Sequence, residues 1–293
     1  MNTDTQVTPR DWSILALLTV IWGSSFILIK KSLIGFDPVE VAILRISIST
    51  IAFVPIYFLL FRHPIPRNKI GWVALIGILG NGLPAFAYAI AQTHVESSVA
   101  GILNSLTPIF TWLFGLFLFA VAFSSRQLVG VTLGFVGAVL IIGLDPSLEF
   151  RIDTFSLLIV AGTICYGISG NIVKSKLQDV HPIALSAVAF FCMGFFAIGY
   201  SFTTDIYVTV AASHEVRMSL LAVTALALVG TVFANIFFFR LIQRTNAVFG
   251  SSVAYLIPIM ALIWGLLDGE RVAWTHLVGM VLIITGVYVM RKR

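Results

Sequence analysis

The sequence predicts an all-α integral membrane protein in which ten transmembrane helices form two inverted five-helix repeats. Three observations carry the prediction. Of 293 residues, 59% are hydrophobic and 11% charged, with a mean hydropathy of +1.01, far outside the range of soluble chains. Apolar windows of about 17 to 23 residues, long enough to cross a ~30 Å hydrocarbon core, recur ten times along the chain. The stretch 97–119 is written again 150 residues later at 247–269, matching Leu106 with Leu256, Pro108 with Pro258, Ile109 with Ile259 and Gly115 with Gly265.

The first span, near 12–29, runs directly into Lys30 and Lys31 without a convincing cleavage site, so it is expected to be retained as a helix. It carries Trp22 and Ser25. The second, near 39–61, opens after Pro38 and holds Arg45 about two turns inside. In the third, near 70–91, Asn81, Ala85, Tyr88 and Gln92 form a stripe at i, i+4, i+7 and i+11 on one helix face. Lipid would not solvate such amides, so the stripe is expected to bond between helices or to face a cavity. The fourth, near 97–119, places Gly101, Asn104, Ser105 and Pro108 on one face, with Thr111 and Trp112 a turn on. A mid-span proline frees a carbonyl, which is tolerated only where protein or water satisfies it. The fifth, near 128–144, is ridged by Gly130, Gly134 and Gly137.

The second copy repeats these features. At an offset of 144, Trp22-Gly23 falls on Tyr166-Gly167, Ser25 on Ser169, Lys30 on Lys174 and Pro38 on Pro182, within spans near 155–173 and 183–202. The span near 218–239 offers Thr231, Asn235 and Phe238 in place of the third-span stripe. Ser251, Ser252, Tyr255 and Pro258 occupy the span near 247–267, and Gly279 and Gly286 ridge the last, near 274–290. The copies therefore occupy 1–144 and 150–293. The offset jumps by six between spans 7 and 8, placing the insertion in that connector.

Lys and Arg divide unevenly between alternate connectors. One side holds twelve (Arg10, Arg62, Arg67, Lys69, Arg126, Lys174, Lys176, Arg240, Arg244, Arg291, Lys292, Arg293), and the other holds five (Lys30, Lys31, Arg151, Arg217, Arg271). The positive-inside rule then puts both termini in the cytoplasm, in a multi-pass protein of the cell's inner membrane. With five spans per copy, the second must enter from the opposite face, as in many secondary transporters whose substrate sites lie at midplane.

The isoelectric point near 9.4 and net charge of +5 come from scattered connector residues, so no nucleic-acid partner is expected. Cys165 and Cys192 fall within apolar spans and read as buried reduced thiols. An intramembrane enzyme and a lipid-handling scaffold are the rival readings, and the absence of any H-E-x-x-H or G-x-S-x-G motif counts against the first. No cofactor or metal is expected. Glu40, Glu96, Asp268 and Glu270 lie near outer span ends, so proton coupling would need a rim acid or His94. Arg45, the one charge within a span, either receives a substrate carboxylate through its planar fork, caps helix carbonyls, or pairs with an outer acid such as Glu96.

The W-G-S-S-F run from Trp22 to Phe26, the proline opening span 2, Arg45, the prolines of spans 4 and 9, and L-L-D-G-E-R from Leu266 to Arg271 together resemble the EamA family of the drug/metabolite transporter superfamily. The resemblance covers nearly the whole chain. It departs where Ala120 stands opposite Glu270, since the family often carries an acid at both places. It implies export of amino-acid-like solutes. The cavity residues expected to contact a neutral or zwitterionic substrate, or an amphipathic drug, are Trp22, Ser25, Asn81, Tyr88, Gln92, Asn104, Tyr166, Ser169, Asn235, Phe238 and Tyr255. Pro108 and Pro258 are expected to act as hinges for two gates, with Arg45 and Glu270 as the notable charges. The expected partners are that small molecule and the lipid bilayer. The glycine ridges of spans 5 and 10 are expected to pack on each other or to join two protomers.

Overall fold

A computed structural model of the chain describes residues 7–60, 63–119, 125–143, 153–204, 206, 213–245 and 247–291. Arg62, Ala120, Arg151, Lys292 and Arg293, which entered the reading of orientation and of family pattern, lie outside the described residues. Among the described residues all regular structure is helical. Eight helical stretches are long and apolar enough to cross a membrane: α1 (Pro9–Ser32), α2 (Pro38–Leu59), α3 (Arg67–Ala91), α4 (Ser97–Leu118), α6 (Thr154–Lys176), α7 (Pro182–Ser201), α8 (His214–Arg244) and α9 (Phe249–Leu267). Two more helices, α5 (Ser125–Gly143) and α10 (Trp274–Arg291), contain shorter apolar segments, Leu128–Ile141 and Trp274–Gly286. The chain is a multi-pass membrane protein. Its outward surface carries large apolar side chains such as Leu59 and Phe195, each 80% exposed, which only lipid would cover without cost.

The starts of these helices are written locally. Pro9, Pro38 and Pro182 stand at first helical positions, where the missing N–H removes nothing. The Asp11 carboxylate accepts from the Thr8 amide at 2.9 Å and its hydroxyl at 2.6 Å, and Glu40 accepts from the Asp37 amide at 2.9 Å. Asp153 accepts from the amides of Phe155 and Ser156. These carboxylates satisfy backbone donors that a helix leaves open.

Contacts between helices come in matching pairs. α1 packs on α8 and α9, while α6 packs on α3 and α4; α2 meets α8 as α7 meets α3. α2 also packs on α7, α4 on α9, and α5 on α10. The last pair is in backbone contact: a Cβ on Gly137 would stand 2.6 Å from the Gly279 carbonyl oxygen, and one on Gly279 2.8 Å from that of Gly137. Glycine is needed there because any side chain would force the helices apart. The ridges thus face each other within the chain, the first of the two packings expected of them, while residues such as Phe135 and Val281 are exposed on the same helices.

Two helix pairs are irregular at corresponding places. α3 widens into a π turn at Ile78–Gly82, ahead of Pro84, whose ring would clash with a regular turn's carbonyl. α8 has its π turn at Leu228–Phe233 with no proline. There the Thr231 hydroxyl donates to the Leu226 carbonyl at 3.0 Å, inserting a side chain into the ladder. α4 tightens to a 3₁₀ turn at Asn104–Leu106 just before Pro108, and the ninth-span region does so at Ser252–Tyr255 before Pro258. Those four turns lie around the centre of the bundle.

Candidate functional site

A cavity occupies that centre. Its empty space, mouth included, is about 940 Å³. α1 contributes Trp22, Ser25, Phe26 and Ile29; α2 contributes Arg45; α3 contributes Gly80, Asn81 and Tyr88. Asn104, Thr107 and Thr111 come from α4, Tyr166 and Ser169 from α6, and Asn235, Phe238 and Ile242 from α8. Ser251, Ala254 and Ile257, together with Ala247, complete the wall. The hollow runs from Ile29, next to Lys30, to Ala247, two residues beyond Thr245. Most of the wall is apolar, and its polar groups converge from both halves of the sequence.

The π turns bring the first and second halves into contact. In α8 the Ala234 amide bonds to the carbonyls of Val229 and Thr231, bypassing Gly230. The Gly230 carbonyl instead accepts from Trp22 Nε1 at 2.9 Å. The Trp22 indole then meets Phe238 edge-on, ring centroids 4.8 Å apart at 73°. Ser25 lies so close that a Cβ on Gly230 would be 2.9 Å from its hydroxyl oxygen. The counterpart is as tight, since a Cβ on Gly80 would be 2.5 Å from Ser169 Oγ. Asn235 Nδ2 donates to Asn81 Oδ1 at 2.7 Å, tying the π turn of α3 to the helical turn that follows the π turn of α8. Tyr88 donates to Asn104 Oδ1 at 2.7 Å, and its ring lies 5.8 Å from Phe26 and 6.0 Å from Tyr166.

Two donors in this wall are left over. Asn81 Nδ2 is buried and has no partner among the described residues. Arg45 donates through Nε to Thr231 Oγ1 at 2.9 Å, and no carboxylate pairs with it among the described residues. The Thr231 hydroxyl proton is committed to Leu226, so Thr231 can accept from the guanidinium but cannot neutralise it. The expected alternative of pairing with Glu96 is overturned, because Glu96 reaches Lys30 at 3.2 Å.

All eleven predicted contact residues and both hinge residues can be placed against this cavity, and nine of the eleven line it. Trp22, Ser25, Asn81, Tyr88, Asn104, Tyr166, Ser169, Asn235 and Phe238 line it, as does Arg45. Gln92 does not: it is buried at the end of α3, with neither amide atom bonded among the described residues. Tyr255 lies in the 3₁₀ turn outside the wall, although its neighbour Ala254 lines it. Pro108 and Pro258 are buried beside the wall and shape its turns without lining it. Gly80 and Gly230 line the cavity yet were not singled out from sequence. Their coincidence at the 150-residue offset was the available signal.

Glu270 has another place, at the Lys30 end of the bundle. It accepts from the Ser97 amide at 3.0 Å, the Ser97 hydroxyl at 2.6 Å and the Ser98 amide at 2.9 Å, and so caps α4. Lys30 Nζ approaches Glu270 at 2.8 Å, Asp268 at 2.9 Å and Glu96 at 3.2 Å, while Lys31 pairs with Asp268. Burial alone would raise the Glu270 carboxyl, but hydrogen bonds from Lys30, Ser97 and Ser98 outweigh it and hold the pKa at about 2. Burial likewise opposes ionisation of Asp268, and Lys31 and Lys30 reverse it, so its pKa is lowered. The opposite end is built differently. There Lys174, the counterpart of Lys30, donates to the Thr245 carbonyl at 2.8 Å.

Comparison with known proteins adds a family. The description "EamA-like transporter family" matches residues 11–143 and again residues 154–292. An "Uncharacterized transporter" of Archaeoglobus fulgidus is 27% identical over 286 residues, covering 97% of this chain and 100% of the relative. A "Probable amino-acid metabolite efflux pump" of Escherichia coli K12 is 24% identical over 299 residues, covering 96% and 94%. The "Uncharacterized inner membrane transporter YedA" of the same organism is 27% identical over 283 residues, covering 93% and 88%. A solved crystal structure superimposes with a TM-score of 0.65 at 18% identity over 96% of both chains, a likeness of fold alone.

Proposed function

The chain belongs to the EamA-like transporter family of the drug/metabolite transporter superfamily, and from that premise we propose that it is a secondary carrier that exports a small amino-acid-like solute by alternating access. Arg45 carries the reading. A charge within a membrane span costs at least ~2.5 to 3.5 kcal/mol on insertion scales, and here it is spent on a cavity wall where, among the described residues, its one hydrogen-bond partner is the neutral Thr231 hydroxyl. A planar guanidinium is matched by a carboxylate. Around it stand aromatics, hydroxyls and amides without a second fixed charge, which suits a neutral or zwitterionic molecule better than a phosphorylated one. The name of the Escherichia coli efflux pump supports the same substrate class.

The transport cycle follows from the fold as we read it. Ten membrane spans form two five-helix repeats, residues 1–144 and 150–293, inserted in opposite senses in the inner membrane with both termini cytoplasmic. Support comes from the double family match and the paired helix contacts. Trp22, Ser25, Asn81, Tyr88, Asn104, Tyr166, Ser169, Asn235 and Phe238 contact the substrate. The 3₁₀ turns before Pro108 and Pro258 are the hinges, since mid-helix 3₁₀ segments often mark them. Counterflow of labelled amino acids in proteoliposomes tests the function. Replacing both Pro108 and Pro258 with Ala is expected to reduce counterflow at least tenfold while the protein still inserts; undiminished counterflow would remove the hinges from the mechanism.

A further inference from the structure

We propose, resting on the carrier reading above, that this protein is an exchanger: its cavity crosses between the two sides only with a carboxylate seated on Arg45. The placement of charge carries the inference. Asp11, Asp37, Glu40, Glu96, Asp153, Asp179, Glu215, Asp268 and Glu270 are the described acids, and every one lies at or beyond a helix end. Among the described residues none reaches Arg45, whose one protein acceptor is the neutral Thr231 hydroxyl. An arginine cannot shed its proton in a protein, so the cavity keeps a positive charge through the whole cycle.

Alternating access requires an occluded state in which water is excluded from both sides. In that state an unpaired guanidinium is a buried charge without compensation, the most costly arrangement of a buried ion pair. A solute carboxylate removes the charge by taking the free edge of the fork, and Asn81 Nδ2 is a second open donor in the same cavity. The loaded cavity therefore occludes readily and the empty one does not. Return without cargo is slow, so efflux of one carboxylate is tied to entry of another. Neutralisation also makes the loaded step insensitive to membrane potential where the cargo is a monoanion.

The test uses purified full-length protein in liposomes, in chloride-free sulfate buffer so that chloride does not replace the carboxylate. Labelled phenylalanine, N-acetylphenylalanine and phenylalaninamide are offered to liposomes that are empty or preloaded with the same unlabelled compound. The two carboxylates are expected to enter preloaded liposomes at least tenfold faster than empty ones, and the amide not to be carried. In R45Q the difference is expected to collapse to within twofold. R45K, which keeps the charge without the fork, is expected to retain the dependence on preloading with weaker binding, which a merely structural loss would not do. Equal rates into empty and preloaded liposomes for the unaltered protein would overturn exchange while leaving the carrier reading intact. Movement of none of the three probes in either mode would overturn both.

Discussion

Asn81 and Gln92 are amides eleven residues apart on α3, equally buried, and they fare differently. Asn81 receives a hydrogen bond from Asn235 across the cavity, whereas Gln92 has no partner for either polar atom among the described residues. A buried amide without partners opposes folding by about 1 to 3 kcal/mol, and replacing it with an apolar group of similar shape removes that cost. Q92M is therefore expected to raise the melting temperature in detergent, or leave it unchanged, and to leave counterflow intact. N81L is expected to lower both, because it leaves the Asn235 amide unpaired and closes part of the wall. The pair separates a cavity residue from a neighbour that shares its helix face in sequence. If Q92M lost transport as fully as N81L, Gln92 would have to be returned to the wall. Periodicity assigned both residues to one stripe because it reports the direction of a side chain and not the depth at which a hollow ends.

At the scale of the element, the π turns of α3 and α8 decide where that hollow lies. Each presents a glycine to a serine from the other half, and the tighter contact is Gly80 on Ser169. G80A would press a methyl against Ser169 Oγ and is expected to destabilise the protein by about 1 to 3 kcal/mol, the usual range for overpacking. S169A deletes the obstructing oxygen, so the double variant is expected to recover most of the loss in thermal melts. Strictly additive effects would show that the two residues do not share the strain. Proline made the α3 turn partly legible, since Pro84 announces a broken ladder. The α8 turn was not legible, because Ala234 stands where Pro84 does and the distortion comes from a threonine hydroxyl bonded five residues back. Eight of the spans were readable to within a few residues, as hydrophobic length is a local property. Contacts such as Trp22 with the Gly230 carbonyl depend on which carbonyl a π turn leaves free, and no window of sequence contains both partners.

For the molecule as a whole, the two ends of the cavity differ in what would have to break for them to open. The Lys30 end is held by a cluster of ion pairs around the buried Glu270, joining α1, the start of α4 and the segment after α9; at the Lys174 end Lys174 bonds to backbone carbonyls, and the ion pairs there stand apart from it, Arg244 with Asp11 at 3.6 Å and Lys69 with Asp179. Sequence reading treated Lys30 and Lys31 as signs of orientation and Glu270 as a rim acid, because partners 240 residues apart give no local pattern. The latch makes a pH prediction with a definite sign. The Glu270 pKa is lowered from 4.5 to about 2, so the stabilisation it gives the Lys30 end is fully present above about 4.5 and is lost as pH falls toward 2. Closure through Glu270 should accordingly be constant between pH 6 and 8. E270Q imposes the neutral form at any pH, removing the charge on Lys30's most buried partner while retaining a similar shape. With Cys165 and Cys192 replaced by Ala and a single cysteine introduced by S25C, a membrane-impermeant maleimide applied from the Lys30 end is expected to label the E270Q protein several-fold faster than its parent at pH 7. Equal labelling of the two would mean that apolar packing of α1, α4 and α9 closes this end and that the ion pairs only decorate it. Faster labelling would make the latch the barrier whose release exposes the cavity on that side.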